Sequence, residues 1–479
     1  HYHHSGIDWP GNVKNSLIAK VSTEMTTATV NTKHYLIVGL GLTGLSCARF
    51  CQSRGYKFSL CDTRTELPTI DSIRGEFPGV EIALGLPDVE TLSQYDELVV
   101  SPGINVNTPV FIAAAERGVT ISGDVQLFAE HRTQPVIAIT GSNGKSTVTT
   151  LVADMLNAAG VKAAACGNIG VPVLDLLTQP ANIDVYVAEL SSFQLETTRN
   201  LGAEVAGILN ISPDHMDRYA GMADYERAKQ RIFQNAKCAV INGDDDHTLP
   251  ALSVPQSSTK FSLHSPVSND FGITYEGDEL WLAHGSERLI RASELSVRGM
   301  HNVANALAAL AFINALKADL NIDLKKCLDG LKNFKGLDHR CQHVALLKGI
   351  EYINDSKGTN EGSTVAAIQG LEPVTSGDLW LIAGGESKGQ TFAELAAACE
   401  KQVAGVYLYG ADRSIMQSAL PATVVNGVFN TLAEALAAAS ENAAAGDTVL
   451  FSPACASFDQ FRNYVHRGEF FRSCVEALS

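Results

Sequence analysis

Two glycine turns, each behind a short apolar run and ahead of a helical one, constrain this chain more than any other feature. The first is Gly39-Leu-Gly-Leu-Thr-Gly44 after Tyr35-Leu-Ile-Val38; the second is Gly141-Ser-Asn-Gly-Lys-Ser146 after Pro135-Val-Ile-Ala-Ile-Thr140. A strand that passes through glycines into a helix returns to pair in parallel, so both turns predict α/β units with sites at strand carboxyl ends. Only the second turn carries a lysine. Lysine and hydroxyl beside backbone N–H donors suit a nucleoside triphosphate with Mg²⁺, whereas the first turn can hold a diphosphate by amides and helix dipole alone.

The spacing predicts three units. The first runs from the Tyr35–Val38 strand through a helix at 45–53 to a strand at Lys57–Cys61 that ends in Asp62, with a later strand at Glu97–Gly103. An acidic residue about twenty positions past the glycines is the ribose signal of a dinucleotide site, so an NAD-dependent oxidoreductase is one open reading. A second unit begins near Asp124, with strands at 135–140, 185–189, 205–210 and 238–242, a small antiparallel patch between 259 and 298, and an alanine-rich helix at 302–317. A third follows Gly336, with strands at 352–354, 379–383, 405–409 and 447–451 and helices at 391–401 and 431–445. The expected boundaries are 33–123, 124–336 and 337–479. Residues 1–32 are expected to be a tag-like or disordered extension, with Met25 a plausible native start.

Charge and cysteine usage narrow the partners. With 52 acidic against 36 basic residues and a formal charge of −16, the chain lacks the basic face that nucleic acid or an anionic membrane would need. Ten cysteines without CxxC spacing predict reduced thiols in a cytoplasmic protein. No apolar run approaches membrane-spanning length. A monomer acting on small molecules is expected.

Several residues could carry chemistry. The full triphosphate-loop pattern wants a glycine where Ile139 stands, but the strand before the turn and the helix from Thr147 supply the context it needs. Lys145 would neutralise β/γ-phosphate charge and Ser146 would offer its hydroxyl to Mg²⁺. Glu189, at a strand end, suits a hard cation, or else caps the next helix. A lone His215 is more often a structural histidine than a ligand, and its neighbours Asp214 and Asp217 could equally make a turn. Lys229 reads as an exposed lysine on a charged helix. A partner-binding ATPase without ligation is a second open reading.

Seven motifs together carry a resemblance. Gly141-Ser-Asn-Gly-Lys-Ser-Thr147, Gly167-Asn-Ile-Gly170, Glu189-Leu-Ser-Ser192, Asp214-His-Met-Asp217, His301-Asn-Val-Ala-Asn305, Asn354-Asp-Ser-Lys357 and Ser452-Pro-Ala-Cys-Ala-Ser457 resemble, in order, the motif series of the Mur ligases, closest to the members that add D-glutamate. The resemblance implies a Rossmann-like N-terminal domain, a central ATPase-like parallel-sheet domain and a Rossmann-like C-terminal domain. It implies ATP-dependent amide formation between UDP-N-acetylmuramoyl-L-alanine and D-glutamate through an acyl phosphate, in peptidoglycan precursor synthesis.

It also implies roles. Leu42, Thr43, Thr63, Arg64, Ser101 and Gly103 would contact the UDP substrate, which demotes Asp62 to a neighbour. Gly141, Ser142, Asn143, Gly144, Lys145, Ser146, Thr147, Asn302, Asn305, Arg340 and Asp355 would bind ATP. Lys145, Asn168, Glu189, His215 and Lys229 would be catalytic, with Ser146, Glu189, His215 and Lys229 holding Mg²⁺, the lysine as its carbamate. Thr359, Lys388, Ser457 and Phe458 would hold D-glutamate, Phe458 reading otherwise as core. The sequence departs from the family pattern at Gly384-Gly-Glu-Ser-Lys388, Asp338 and Tyr464. Catalytic groups on separate domains imply hinges near 124 and 337.

Overall fold

The computed structural model describes residues 30–179 and 182–479; Met25 and the rest of the expected extension up to residue 29 lie outside them. Three sheets follow one another along the chain. The first is wholly parallel, in the order β3-β2-β1-β4-β5, from β1 (His34–Val38), β2 (Lys57–Asp62), β3 (Ile82–Leu84), β4 (Glu97–Val100) and β5 (Thr120–Ser122). Leu36, Ile37 and Val38 are buried, as a central strand covered on both faces requires. The chain leaves β1 for β2 on one side and later takes β4 on the other. Ligands of open α/β sheets bind at such a switch point.

Here the first glycine turn meets the loop after β4, the Ser101 hydroxyl donating to Gly39 O at 3.3 Å. Gly39 has φ 98°, a region that favours glycine. The Asp62 carboxylate accepts from Leu40 N at 2.9 Å and from the Arg64 backbone N–H and guanidinium at 2.8–3.0 Å. Those bonds, the Arg64 guanidinium foremost, hold its pKa well below the usual carboxylate range. The ribose reading of Asp62 is thereby corrected, because its oxygens are already committed to bracing the turn.

The central sheet has nine strands in the order β14-β13-β12-β11-β10-β9-β6-β8-β7. They are β6 (Val136–Thr140), β7 (Ala163–Gly167), β8 (Val185–Glu189), β9 (Val205–Ile208), β10 (Cys238–Asn242), β11 (Ser257–Phe261), β12 (Phe271–Glu276), β13 (Glu279–His284) and β14 (Glu287–Arg291). The expected antiparallel patch is corrected on two points. β11 pairs in parallel with β10, and β12 to β14 extend the same sheet by antiparallel hairpins. Phe261 and Phe271 are the pair that joins the two regimes. The Lys145–Ala158 helix packs against the Met300–Leu320 and Leu324–Asn333 helices. The long alanine-rich helix stops at Asn321, which takes the left-handed conformation at φ 50° that often ends helices.

The third sheet runs β15-β16-β20-β17-β18-β19, from β15 (Gln342–Leu347), β16 (Ile350–Asn354), β17 (Leu379–Gly384), β18 (Gly405–Tyr409), β19 (Val425–Val428) and β20 (Thr448–Phe451). All pairs are parallel except β15 with β16. β20 lies between β16 and β17, so the loops after all three converge. Arg467, fully buried, locks two of them: it donates to Ser356 Oγ and O and to Cys455 O at 2.8–3.1 Å. No helix among the described residues is long and apolar enough to cross a membrane.

Gly44 tests the first turn, since a Cβ there would lie 1.7 Å from Gly39 O, a backbone atom that cannot swing aside. Gly44→Ala is expected to cost about 2 kcal/mol or more, read as a lower denaturation midpoint; an unchanged midpoint would contradict the packing.

Candidate functional site

The residues after β9 clamp the lysine-bearing loop. Asn210 accepts from Ser142 N at 3.0 Å through its carbonyl and from Asn143 N at 2.9 Å through its side chain, and returns a bond to Asn143 O. The Ser142 hydroxyl donates to Ser212 O and lies 2.9 Å from Tyr225 Oη. Gly144 sits at φ 84° before the helix, and Ser146 and Thr147 occupy its first turn, both buried. Such a helix start presents unpaired N–H groups and the positive end of the dipole. The Lys145 ammonium folds back onto its own loop, 2.8 Å from Gly141 O and 3.3 Å from Ser142 O. Burial lowers its pKa, against Glu189 and Asp214, which raise it.

Lys229 shares the same carbonyl, with Nζ 3.0 Å from Gly141 O and 3.2 Å from Thr140 Oγ1. It is 2% exposed, which corrects the reading of an exposed lysine. The helix Met222–Gln230 turns Tyr225, Ala228 and Lys229 inward, positions three and four apart that share a face. Burial first, and Lys145 second, push the Lys229 pKa well below its ordinary value.

Glu189 ends β8 at 2% exposure. The Asn168 side chain donates to its Oε1 at 3.2 Å, while Oε2 is buried and has no hydrogen-bond partner. Gly167 lets the two strands close here, for a Cβ on it would sit 2.3 Å from Glu189 O. The capping alternative for Glu189 is corrected: Ser191 caps the next helix, in a reciprocal box with Gln194. His215, at φ 55°, packs on Phe193 with ring centroids 4.8 Å apart. Burial lowers its pKa, so the ring is a neutral ligand candidate. The orphaned Glu189 oxygen and the helix-start hydroxyl of Ser146 are oxygen donors of the kind a hard cation takes, and the His215 imidazole adds a nitrogen donor. No cluster of three or more His, Cys, Asp or Glu side chains able to hold a metal occurs among the described residues.

A cavity of about 550 Å³ opens beside the loop, lined by Asn143, Gly144, Thr147, Asn302, Asn305 and Arg340, with Asp355 at its wall. It lies between the central and third sheets, and of the residues expected on the ATP side it leaves Gly141, Ser142, Lys145 and Ser146 outside its lining. Asp355 is fully committed: Oδ1 accepts from Cys341 N at 3.1 Å and Oδ2 from Ser452 Oγ at 2.6 Å. Burial raises its pKa to about 6.

The third unit reaches the loop directly. Ser363 donates to Asn143 Oδ1, Asn360 donates to Asp214 Oδ2 at 3.0 Å, and Lys388 Nζ lies 3.3 Å from Asp214 Oδ1. Lys388 therefore faces the segment that carries His215. Thr359 is half-buried, Ser457 is buried, and Phe458 is 67% exposed, which corrects its reading as core. Sequence reasoning assigned no role to Lys357, although its motif was evident. Its ammonium lies 4.2 Å from the Tyr464 ring, and burial together with Arg340 lowers its pKa to about 8. Asp214 and Asn360 were also missed, because contacts between units leave no periodic trace.

At the first glycine turn Leu42 is 84% exposed, Thr43, Thr63 and Ser101 are half-buried, and Arg64 and Gly103 are exposed. They gather at the carboxyl edge of the first sheet.

Three family models match successive stretches of the chain: "Mur ligase MurD-like, N-terminal domain" over 33–123, "Mur ligase middle domain" over 139–313 and "Mur ligase, glutamate ligase domain" over 339–455. Similar curated proteins carry the name UDP-N-acetylmuramoylalanine–D-glutamate ligase. That of Hahella chejuensis is 45% identical over 93% of this chain and 98% of its own. That of Methylobacillus flagellatus is 47% identical over 93% and 97%. Among solved structures, a pseudomurein peptide ligase type C from Methanothermus fervidus superposes with TM-score 0.58 at 19% identity, covering 93% of this chain and all of that one. The UDP-N-acetylmuramate-alanine ligase MurC of Thermotoga maritima gives 0.57 at 18%, covering 93% and all. At those identities the two structures speak for the fold.

Asp355 yields a pH prediction. Its folded pKa, about 6, lies above the ordinary 3.8, so the stability it contributes is full below about 4 and is lost as pH rises through 6. Two units correspond to about 3 kcal/mol. Asp355→Asn abolishes this titration, so denaturant midpoints of wild type should fall relative to the variant between acid and neutral pH. Parallel pH profiles for the two proteins would reject it.

Proposed function

Because the chain belongs to the Mur ligase family, we propose that it performs the reaction its relatives are named for. This is ATP-dependent attachment of D-glutamate to UDP-N-acetylmuramoyl-L-alanine, in peptidoglycan precursor synthesis. One observation supports the site most directly: Lys145 and Lys229 meet on a single carbonyl of the phosphate loop, with the unpartnered oxygen of Glu189 buried in the same site.

In the proposed division of labour, the domain of residues 33–123 holds the UDP substrate through Leu42, Thr43, Thr63, Arg64, Ser101 and Gly103. Residues 124–336 hold ATP, and residues 337–479 bring D-glutamate and close the site about hinges near 124 and 337. The substrate carboxylate must attack an anionic γ-phosphoryl group, and preorganised cations offset that repulsion. Lys145 leaves its two loop carbonyls for phosphate oxygens, while Asn302, Asn305 and Arg340 bind the rest of the nucleotide. Asn168 steadies Glu189 and the transferring group. When bound, Mg²⁺ supplies further charge neutralisation, held by Ser146, Glu189, His215 and a carbamate of Lys229.

Carbamate formation joins a neutral amine to carbon dioxide and releases a proton, so it needs the suppressed basicity that burial gives Lys229. The acyl phosphate forms as the γ-phosphorus bond to the ADP oxygen breaks; the neutral D-glutamate amine then attacks the acyl carbon, the carbon–oxygen bond to phosphate breaks, and inorganic phosphate and a proton from the amine leave as the amide forms. Lys388 exchanges Asp214 for a carboxylate of the amino acid, alongside Thr359, Ser457 and Phe458. Exclusion of water by the third domain protects the acyl phosphate.

Phosphate release from ATP should require both UDP-N-acetylmuramoyl-L-alanine and D-glutamate in an amino-acid panel; release without either, or with other amino acids at equal rate, would sink the assignment. Lys145→Ala should lose turnover by roughly a thousandfold, the scale of a removed transition-state donor. Lys229→Ala should be nearly inactive yet partly restored by added short carboxylic acids, and full activity of that variant would refute the carbamate. Small-angle scattering with an ATP analogue and substrates should report closure.

A further inference from the structure

We infer that Arg218 is a positioning residue that couples the substrate loop of the first domain to His215. The inference rests on the reading of that loop as the UDP-substrate site. Arg218 lies three residues after His215 and its backbone N–H donates to His215 O at 2.9 Å. Its guanidinium crosses to the first unit, donating to Pro102 O at 3.3 Å and Ile104 O at 3.4 Å. A third bond reaches Glu196 Oε2 at 3.1 Å, and the two side chains are only 14% and 11% exposed. The guanidinium face lies 4.1 Å from the centroid of Phe193. That same ring packs against the His215 imidazole.

One side chain thus makes two connections. A trans peptide points its C=O and N–H to opposite sides, so fixing Pro102 O on Arg218 turns the Gly103 N–H outward. Gly103 is exposed, and its N–H has no backbone or side-chain acceptor among the described residues. It is a donor aimed by Arg218 at whatever anion or carbonyl the first glycine turn holds. Ser101 joins that loop to Gly39 of the turn. The second connection runs through Phe193, whose ring touches both the guanidinium and the His215 imidazole. A planar fork with a stacking face can do both at once, whereas an ammonium cannot.

Arg218→Lys keeps Glu196 paired and so preserves folding, but loses the two-carbonyl fork. Titration of UDP-N-acetylmuramoyl-L-alanine alone, without ATP or metal, should show affinity weakened about tenfold, the scale of one charge-assisted hydrogen bond, while the KM for ATP holds. Phe193→Leu should do the converse: substrate affinity holds, kcat falls, and the His215 imidazole NMR resonance shifts as the ring contact is lost. Wild-type affinity in Arg218→Lys, or equal losses for ATP and the UDP substrate, would overturn the inference. Failure of wild type itself to bind the UDP substrate would overturn the site reading, and this inference with it.

Discussion

Two lysines donate to one carbonyl oxygen, that of Gly141, and the rest of the site is arranged around the consequence. Lys145 and Lys229 approach it at 2.8 and 3.0 Å. Their ammonium groups cannot be farther apart than those contacts laid end to end, a repulsion of about 3 kcal/mol or more at an effective dielectric near 20. Lys229 cannot escape to water, being buried beneath the loop, whereas Lys145 is half-buried. The fold answers in two ways. It lowers the basicity of both, Lys229 further, and it places Glu189 and Asp214 close enough to oppose the charge. A polyanion arriving at the loop relieves the same stress, which is why an acidic chain of formal charge −16 can still bind phosphate: the positive field is local.

Asp214 is where this electrostatic arrangement becomes mechanical. It stands on the central unit, yet its carboxylate takes Asn360 and Lys388 from the third, while Ser363 reaches Asn143 on the phosphate loop. Lys388 and Lys357 thereby bring two further cations to the phosphate side of the molecule. Arg218 does the corresponding work toward the first unit. These contacts end on the loop itself or on the Asp214–Arg218 segment, so movement of either outer unit is felt there, while Ser46 with Asp175, Arg199 with Ser122, and Arg298 with Glu351 join the units elsewhere.

The strands that carry the site were legible in the sequence because they are apolar on both faces and end in glycine or polar turns. β8, β10 and β18 match their expected spans. Short edge strands such as β3 and β5, three residues each, and the polar β11 lacked that signal. Lys229 is the instructive failure. Its helix, Met-Ala-Asp-Tyr-Glu-Arg-Ala-Lys-Gln, is mostly charged, and only the inward face of Tyr225, Ala228 and Lys229 tells a buried lysine from a solvated one. Asp62 failed differently: spacing identified an acid at the right place but could not show that Arg64, two residues on, would consume it. Phe458, large and apolar, is held exposed by a loop whose course is set by Arg467 and Cys455.

That last case generalises to how the third unit is built. Ser356 comes from a stretch distant from Cys455 and Arg467, and the buried guanidinium binds the first two through backbone carbonyls and one hydroxyl. A buried cation without a carboxylate partner is costly unless every donor finds an acceptor, so the two loops must adopt the one course that offers their carbonyls inward. Beside them Lys357 lies against Tyr464 of the helix that carries Arg467, and Phe458 is left exposed. The same logic operates at Arg218 behind Pro102 and Ile104. In both places a guanidinium fixes the course of a loop by satisfying its backbone carbonyls.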